Sequence, residues 1–190
     1  MSIGLYIVLA PLYLKSVRKL QEKRFVFVKI LAIIIPENGA KVSKIKCFQF
    51  AQQTLVIFLQ ATILYGGNEE LGWRGTMQVI LQEKLPSPIA TLIVGAIWVC
   101  WHIPLWFIDG NSHQSMSFLT FAILGIALSY WLSAVYNVTG AVVFCMVMHG
   151  WTNTMMGLLE INENFVYYTA LGALTLISII VSIYAQHKRI

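Results

Sequence analysis

Two adjacent carboxylates and a guanidinium lie in the stretch Asn68–Gly75, which has the sequence N-E-E-L-G-W-R-G. Glu70 and Arg74 are four residues apart, so on a helix they face each other and can neutralise one another. Glu69 is turned by about 100° from Glu70 on such a helix, so it points elsewhere. This spacing predicts that Glu70 and Arg74 form a structural pair and that Glu69 is left for proton chemistry. The alternative for Glu70 and Arg74 is an intrahelical ion pair with no further role.

Two further polar clusters follow along the chain. His102 lies in W-V-C-W-H-I-P-L-W, and His149 and Asn153 lie in H-G-W-T-N, four residues apart and therefore on one helical face. A hydrolase needs a base that activates water and donors that stabilise the developing oxyanion. A carboxylate with a histidine can serve as the first, and a histidine with an asparagine as the second. The alternatives are core histidines with ordinary hydrogen bonds and an asparagine that joins helices.

The composition indicates a membrane protein. The chain is 58% hydrophobic and only 11% charged, whereas about a quarter of the residues of a soluble domain are charged. Several long apolar runs interrupt the polar clusters, which is typical of polytopic helical membrane proteins. Ionisable residues are costly to bury in such surroundings and therefore mark a functional site.

The apolar runs predict the fold class. An amphipathic segment, Thr76–Leu85, follows the acidic pair and is closed by Pro86 and Pro88. The sequence predicts an all-α, polytopic integral membrane helical bundle of about 5–7 transmembrane helices. The predicted spans are Phe48–Tyr65, Ile89–Ile108, Phe118–Val135, Ala141–Leu159 and Phe165–Ala185.

Basic residues are concentrated near the N-terminus. Nine of the thirteen lysines and arginines lie between Lys15 and Lys46. Beside apolar spans this is the positive-inside signal of a cytoplasmic segment, not a nucleic-acid site. We therefore divide the chain into residues 1–47, a short apolar segment and a basic cytoplasmic region, and residues 48–190, the membrane domain.

The three polar clusters together resemble a known family. E-E-x-x-x-R, an aromatic residue followed four positions later by histidine, and H-x-x-x-N occur in that order on successive apolar segments. They resemble the three motifs of the CAAX protease and bacteriocin-processing (CPBP, or Abi) family of intramembrane proteases, which includes the type II CAAX prenyl endopeptidases. The resemblance covers about Phe48–Leu159. Trp98 stands where that family usually has phenylalanine.

The resemblance implies an integral-membrane endopeptidase fold of eight helices or similar for residues 48–190. It implies that Glu69 activates water with His102 as its partner, and that His149 and Asn153 stabilise the oxyanion. Older descriptions of the family call it a metalloprotease, in which case Glu69, His102 and His149 would hold zinc. The absence of H-E-x-x-H and the weakness of asparagine as a zinc ligand favour the glutamate mechanism without a cofactor. The residues that would support the site are Glu70 and Arg74.

The implied partners are the lipid bilayer and a membrane-associated peptide or protein, CAAX-like or bacteriocin-precursor-like, with no nucleic acid. The implied location is a bacterial plasma membrane. The alternative function is a non-proteolytic bacteriocin-immunity or binding protein on the same scaffold. A proton-coupled transporter is disfavoured because the sequence has no visible inverted repeat.

Overall fold

The computed structural model describes residues 39–158 and 164–189. These residues contain no β-strand, and the predicted all-α fold is confirmed. The predicted N-terminal apolar segment and most of the basic region lie outside the described residues, so the division at residue 47 stays a prediction. The α-helices are α1 (Gly39–Ile63), α2 (Gly66–Gly72), α3 (Gln78–Gln82), α4 (Ser87–Trp101), α5 (Phe118–Thr139), α6 (Val142–Leu158) and α7 (Phe165–Arg189).

Three helical stretches among the described residues are long and apolar enough to cross a membrane. They are Ser87–Phe107, Phe118–Thr139 and Phe165–His187, and they match three of the predicted spans. Helices α1 and α6 coincide with the other two predicted spans, although α1 begins nine residues before Phe48, at Gly39. The number of crossings stays a prediction.

The bundle carries apolar side chains outside and polar side chains inside. On α7, Leu176 and Ile180 are 62% and 66% exposed, whereas Glu70 and Arg74 are 0% and 1% exposed. A soluble protein would bury the aliphatic residues and leave the charges in water. This distribution is what a lipid environment favours, because lipid covers the apolar face and charges must find partners inside the protein.

Helix α5 is the centre of the bundle, and α4, α6 and α7 pack against it. Its face towards α4 presents Ser129, Ser133 and Asn137 at four-residue intervals, all of them buried. The hydroxyls of Thr91 and Ser133 form a hydrogen bond of 2.7 Å, and the Asn137 amide donates to Ser87 Oγ at 2.8 Å. Small hydroxyl-bearing residues let membrane helices approach closely and bond across the interface. This polar stripe therefore holds α4 on α5.

Helix α6 crosses the end of α1 at Gly150. A Cβ atom on Gly150 would lie 2.7 Å from Thr62 Cα and 2.8 Å from Thr62 N, and closer still to the Thr62 hydroxyl. Backbone atoms cannot move away as a flexible side chain can. The crossing therefore requires glycine at position 150.

The described residues divide into two compact units, one formed by residues 51–103 with 117–190 and one that includes Pro104–Met116. In the smaller unit the Trp106 indole N–H donates to the Met116 carbonyl at 3.0 Å, and its ring meets the His113 ring edge-on.

The crossing at Gly150 generates a stability prediction. We expect Gly150→Ala to destabilise the protein by about 1–3 kcal/mol, the usual cost of forcing extra volume into a packed site. Gly157→Ala is the matched control on the same helix, because an added Cβ there meets nothing within 4 Å. We expect Gly157→Ala to leave stability unchanged or raise it by up to about 1 kcal/mol. Thermal unfolding in detergent, followed by circular dichroism, measures both, and equal melting temperatures would contradict the prediction.

Candidate functional site

A short helical segment with a change of pitch carries the acidic cluster. Helix α2 (Gly66–Gly72) continues into a π-helical turn, Trp73–Met77, before α3 begins. The Gln78 N–H bonds to the Trp73 carbonyl across this turn, one residue further than in an α-helix. Such turns occur mostly as single insertions and frequently at functional sites. Here the turn carries Arg74.

A buried network joins Glu70, Arg74 and His149. Arg74 Nη1 lies 3.1 Å from Glu70 Oε1 and 3.0 Å from Oε2. His149 Nδ1 lies 2.8 Å from Glu70 Oε1. An ionised carboxylate only accepts hydrogen bonds, so the network assigns a proton to Nδ1 of His149. Glu70 therefore fixes the orientation of the His149 ring and directs Nε2 away from itself.

Arg74 is also anchored on the central helix. Its Nη2 donates to the Ser129 carbonyl at 3.1 Å and to Ser129 Oγ at 2.9 Å. The Ser129 hydroxyl in turn donates to the Thr91 carbonyl of α4 at 3.3 Å. The guanidinium therefore ties the acidic segment to both α5 and α4.

Glu69 has a different partner from its neighbour. Its Oε2 accepts a hydrogen bond from the Trp98 indole N–H at 2.7 Å, and the residue is half-buried. Trp98 itself is only 7% exposed. Within the described part of the chain, this indole is the hydrogen-bond partner of Glu69 and leaves Oε1 without one. Two adjacent carboxylates thus occupy two distinct environments.

His102 lies at the C-terminus of α4, next to the same tryptophan. Its Nδ1 is 2.7 Å from the Trp98 carbonyl oxygen, and the two rings meet edge-on with centroids 4.6 Å apart. A carbonyl only accepts, so Nδ1 carries the proton. In the neutral ring, Nε2 is then the acceptor.

His149 and Asn153 converge on one point beside Gly66. A Cβ atom on Gly66 would lie 2.6 Å from His149 Nε2 and closer still to Asn153 Nδ2. His149 is buried and Asn153 is exposed, so the point lies at the edge of the bundle. Glycine at position 66 leaves room in front of both nitrogens.

The spacing arguments hold in the structure. Glu70 pairs with Arg74, Glu69 points elsewhere, and His149 and Asn153 share a helical face, as predicted. His102 and His149 both pack against the Trp98 ring, the latter with centroids 5.7 Å apart.

Helical spacing does not predict Trp98 as a polar partner of Glu69. The available signal was its position four residues before His102, where an aromatic residue on the same helical face lies against the histidine. Nothing local indicated that its N–H would reach a carboxylate 29 positions earlier.

The zinc alternative requires three ligands close together. Among residues 39–158 and 164–189, no three His, Cys, Asp or Glu side chains lie close enough to hold a metal ion. Protein groups bind Nδ1 of His102, Nδ1 of His149 and Oε2 of Glu69. The proposed zinc set of Glu69, His102 and His149 stays a hypothesis for experiment.

The buried network generates a stability prediction. Arg74→Met leaves the Glu70 charge without its cation, and breaking a buried pair in this way typically costs about 3–5 kcal/mol. We expect a corresponding loss in detergent unfolding measurements. The double variant Arg74→Met/Glu70→Gln removes both charges and should recover part of the loss. A single variant as stable as the parent would show that the pair contributes nothing.

Comparisons with known proteins relate the chain to one family. A family model described as "Type II CAAX prenyl endopeptidase Rce1-like" matches residues 51–155. CAAX prenyl protease 2 of Methanococcus maripaludis is 41% identical over 59 residues, which are 31% of this chain and 21% of that relative. The matched part is therefore about a fifth of that relative's length. No solved structure matches the chain.

The matched residues include all three polar clusters, from Glu69 to Asn153. They make up more than half of the 190 residues, and the chain therefore belongs to the Rce1-like family of type II CAAX prenyl endopeptidases.

Proposed function

We propose that the chain is an intramembrane endopeptidase that hydrolyses a peptide bond of a membrane-associated, CAAX-like substrate. The observation that carries the proposal is the division between the two carboxylates. Glu70 is fully buried and bound by a cation and an imidazole, whereas Glu69 is half-buried with one oxygen held and the other open. The first is suited to hold the site together, and the second to exchange protons with water.

In the first step Glu69 takes a proton from a water molecule, and the hydroxide oxygen attacks the carbonyl carbon of the scissile bond. His102 orients the same water through Nε2, the acceptor nitrogen of its neutral ring. Trp98 binds Glu69 through its side chain and His102 through its carbonyl oxygen. Both residues that contact the water are therefore positioned by Trp98.

In the second step the negative charge on the former carbonyl oxygen is stabilised by His149 and Asn153. Their Nε2 and Nδ2 atoms both lie close to the point that a Cβ on Gly66 would occupy. Nδ1 of His149 already carries a proton towards Glu70, so Nε2 donates when the ring is protonated on both nitrogens. Collapse of the tetrahedral intermediate breaks the C–N bond, and the proton held by Glu69 goes to the leaving amine.

Glu69→Gln tests the base. We expect the cleavage rate of a fluorogenic prenylated CAAX peptide by detergent-purified protein to fall by about 10²–10⁴-fold, the usual contribution of a general base. Glu83→Gln is the matched control, because Glu83 is exposed and outside the site. It should cleave as fast as the parent. If Glu69→Gln does as well, Glu69 is not the base.

The same assay separates the alternatives. Cleavage by the parent protein is measured on the CAAX peptide and on a bacteriocin-precursor peptide, each with and without a chelator. Chelator-insensitive cleavage supports the glutamate mechanism, whereas loss on chelation that zinc restores supports the metalloprotease alternative. A parent protein that cleaves neither peptide would contradict the proposal and favour the immunity or binding function.

Gly66→Ala tests the oxyanion donors. Its Cβ would occupy the space that Nε2 of His149 and Nδ2 of Asn153 face, so we expect kcat to fall by about 10²–10³-fold, as for loss of an oxyanion donor. Gly72→Ala is the control in the same helix, because an added Cβ there meets nothing within 4 Å. Circular dichroism should show that both variants are folded. A fully active Gly66→Ala protein would show that the space beside Gly66 does not hold the oxyanion.

A further inference from the structure

The Trp98 side chain brings to the site an N–H that transfers no proton in the proposed reaction but contacts the proposed base. Its indole N–H donates to Glu69 Oε2 at 2.7 Å, which is the short end of the range for an N–H donor. Within the described part of the chain, Trp98 is the hydrogen-bond partner of the Glu69 carboxylate. Glu70, next to it, is bound by both Arg74 and His149. The direction of the Glu69 carboxylate therefore depends on one donor.

The donor is itself held firmly. The Trp98 ring stacks on Phe121 at a centroid distance of 5.9 Å and is edge-on to His102 and His149. Its far edge fills a space that only glycine leaves on α5, because a Cβ on Gly125 would lie 2.8 Å from Trp98 Cζ3. A buried ring fixed on several sides has little freedom to rotate, so its N–H is aimed in one direction.

The backbone of the same residue holds the second half of the pair. The Trp98 carbonyl oxygen accepts a hydrogen bond from His102 Nδ1 at 2.7 Å, so the orientation of His102 depends on where Trp98 lies. Trp98 thus places Glu69 from its side chain and His102 from its main chain.

We propose that Trp98 is a positioning residue whose indole N–H holds Glu69 Oε2 and turns Oε1 towards the substrate water. The inference rests on the proposed function of Glu69 and adds to it a specific requirement for tryptophan. Phenylalanine could occupy part of the same pocket but has no N–H.

The kinetic test removes the N–H and keeps the shape. Trp98→Phe is the simple variant, and replacement of Trp98 by β-(3-benzothienyl)alanine keeps the bicyclic ring with sulfur in place of N–H. We expect kcat on the CAAX peptide to fall by about 10- to 100-fold in both, with KM changed less than about twofold, because orientation of the base is lost while substrate binding is kept. Trp101→Phe on the same helix is the control, because Trp101 is 52% exposed, and it should retain parent activity.

A spectroscopic test does not depend on activity. In protein labelled with ¹⁵N at tryptophan, the indole N–H signal that disappears in Trp98→Phe belongs to Trp98. We expect that signal to move upfield in Glu69→Ala, because its acceptor is lost, and to stay in place in Glu83→Gln. An unmoved signal in Glu69→Ala would overturn the hydrogen bond and the inference with it.

The outcomes distinguish this inference from the proposed function. If Glu69→Gln is inactive and the benzothienyl variant has parent kcat, Trp98 only fills space and the inference is wrong while the proposed function stands. If Glu69→Gln is fully active, the proposed function fails whatever Trp98 does. A lowered kcat in the benzothienyl variant together with an inactive Glu69→Gln supports both.

Discussion

The buried charge of Glu70 is the constraint on which the rest of the site depends. A carboxylate with no exposure cannot remain ionised in an apolar bundle unless cations and donors surround it. Here Arg74 and His149 do so, and Arg74 is in turn bound to Ser129 on the central helix. One charge thereby fixes the relative positions of the acidic segment, α5 and α6. Removal of any member leaves another member buried without its partner.

This network also determines what the neighbouring groups can do. Because Glu70 accepts the hydrogen bond from Nδ1–H of His149, Nε2 faces the space beside Gly66, where Asn153 also points. Because Glu70 is engaged inwards, Glu69 is left at the edge of the bundle. The Gly66 backbone approaches both groups closely, and a side chain at position 66 would fill the space that His149 Nε2 and Asn153 Nδ2 face. The inner part of the site is buried, whereas Glu69 and Asn153 are more accessible.

Sequence spacing predicted those parts of the site that depend on a single helix. The Glu70–Arg74 pair and the shared face of His149 and Asn153 follow from a four-residue interval, which helical geometry brings together whatever the fold. The contact of Trp98 with Glu69 joins residues 29 apart on different helices, and no periodicity indicates it. The same holds for Ser129 as an anchor of Arg74. The helices themselves were predictable from hydrophobic runs, whereas the π-helical turn at Trp73–Met77 has no sequence signal that propensity would detect.

Helix α7 lies outside the family match, which ends at residue 155, yet it supports the elements that carry the site. It packs against α5 and α4, and Gln186 Oε1 accepts a hydrogen bond from the Ser87 N–H at 2.7 Å. That N–H is at the start of α4, where backbone donors have no partner within the helix and must be satisfied elsewhere. Helix α4 carries Trp98 and His102 near its other end, so the position of both depends on how α4 is seated. Residues of α7 thus contribute to the site without touching it, because they hold the helix from which the base and its partner are aligned.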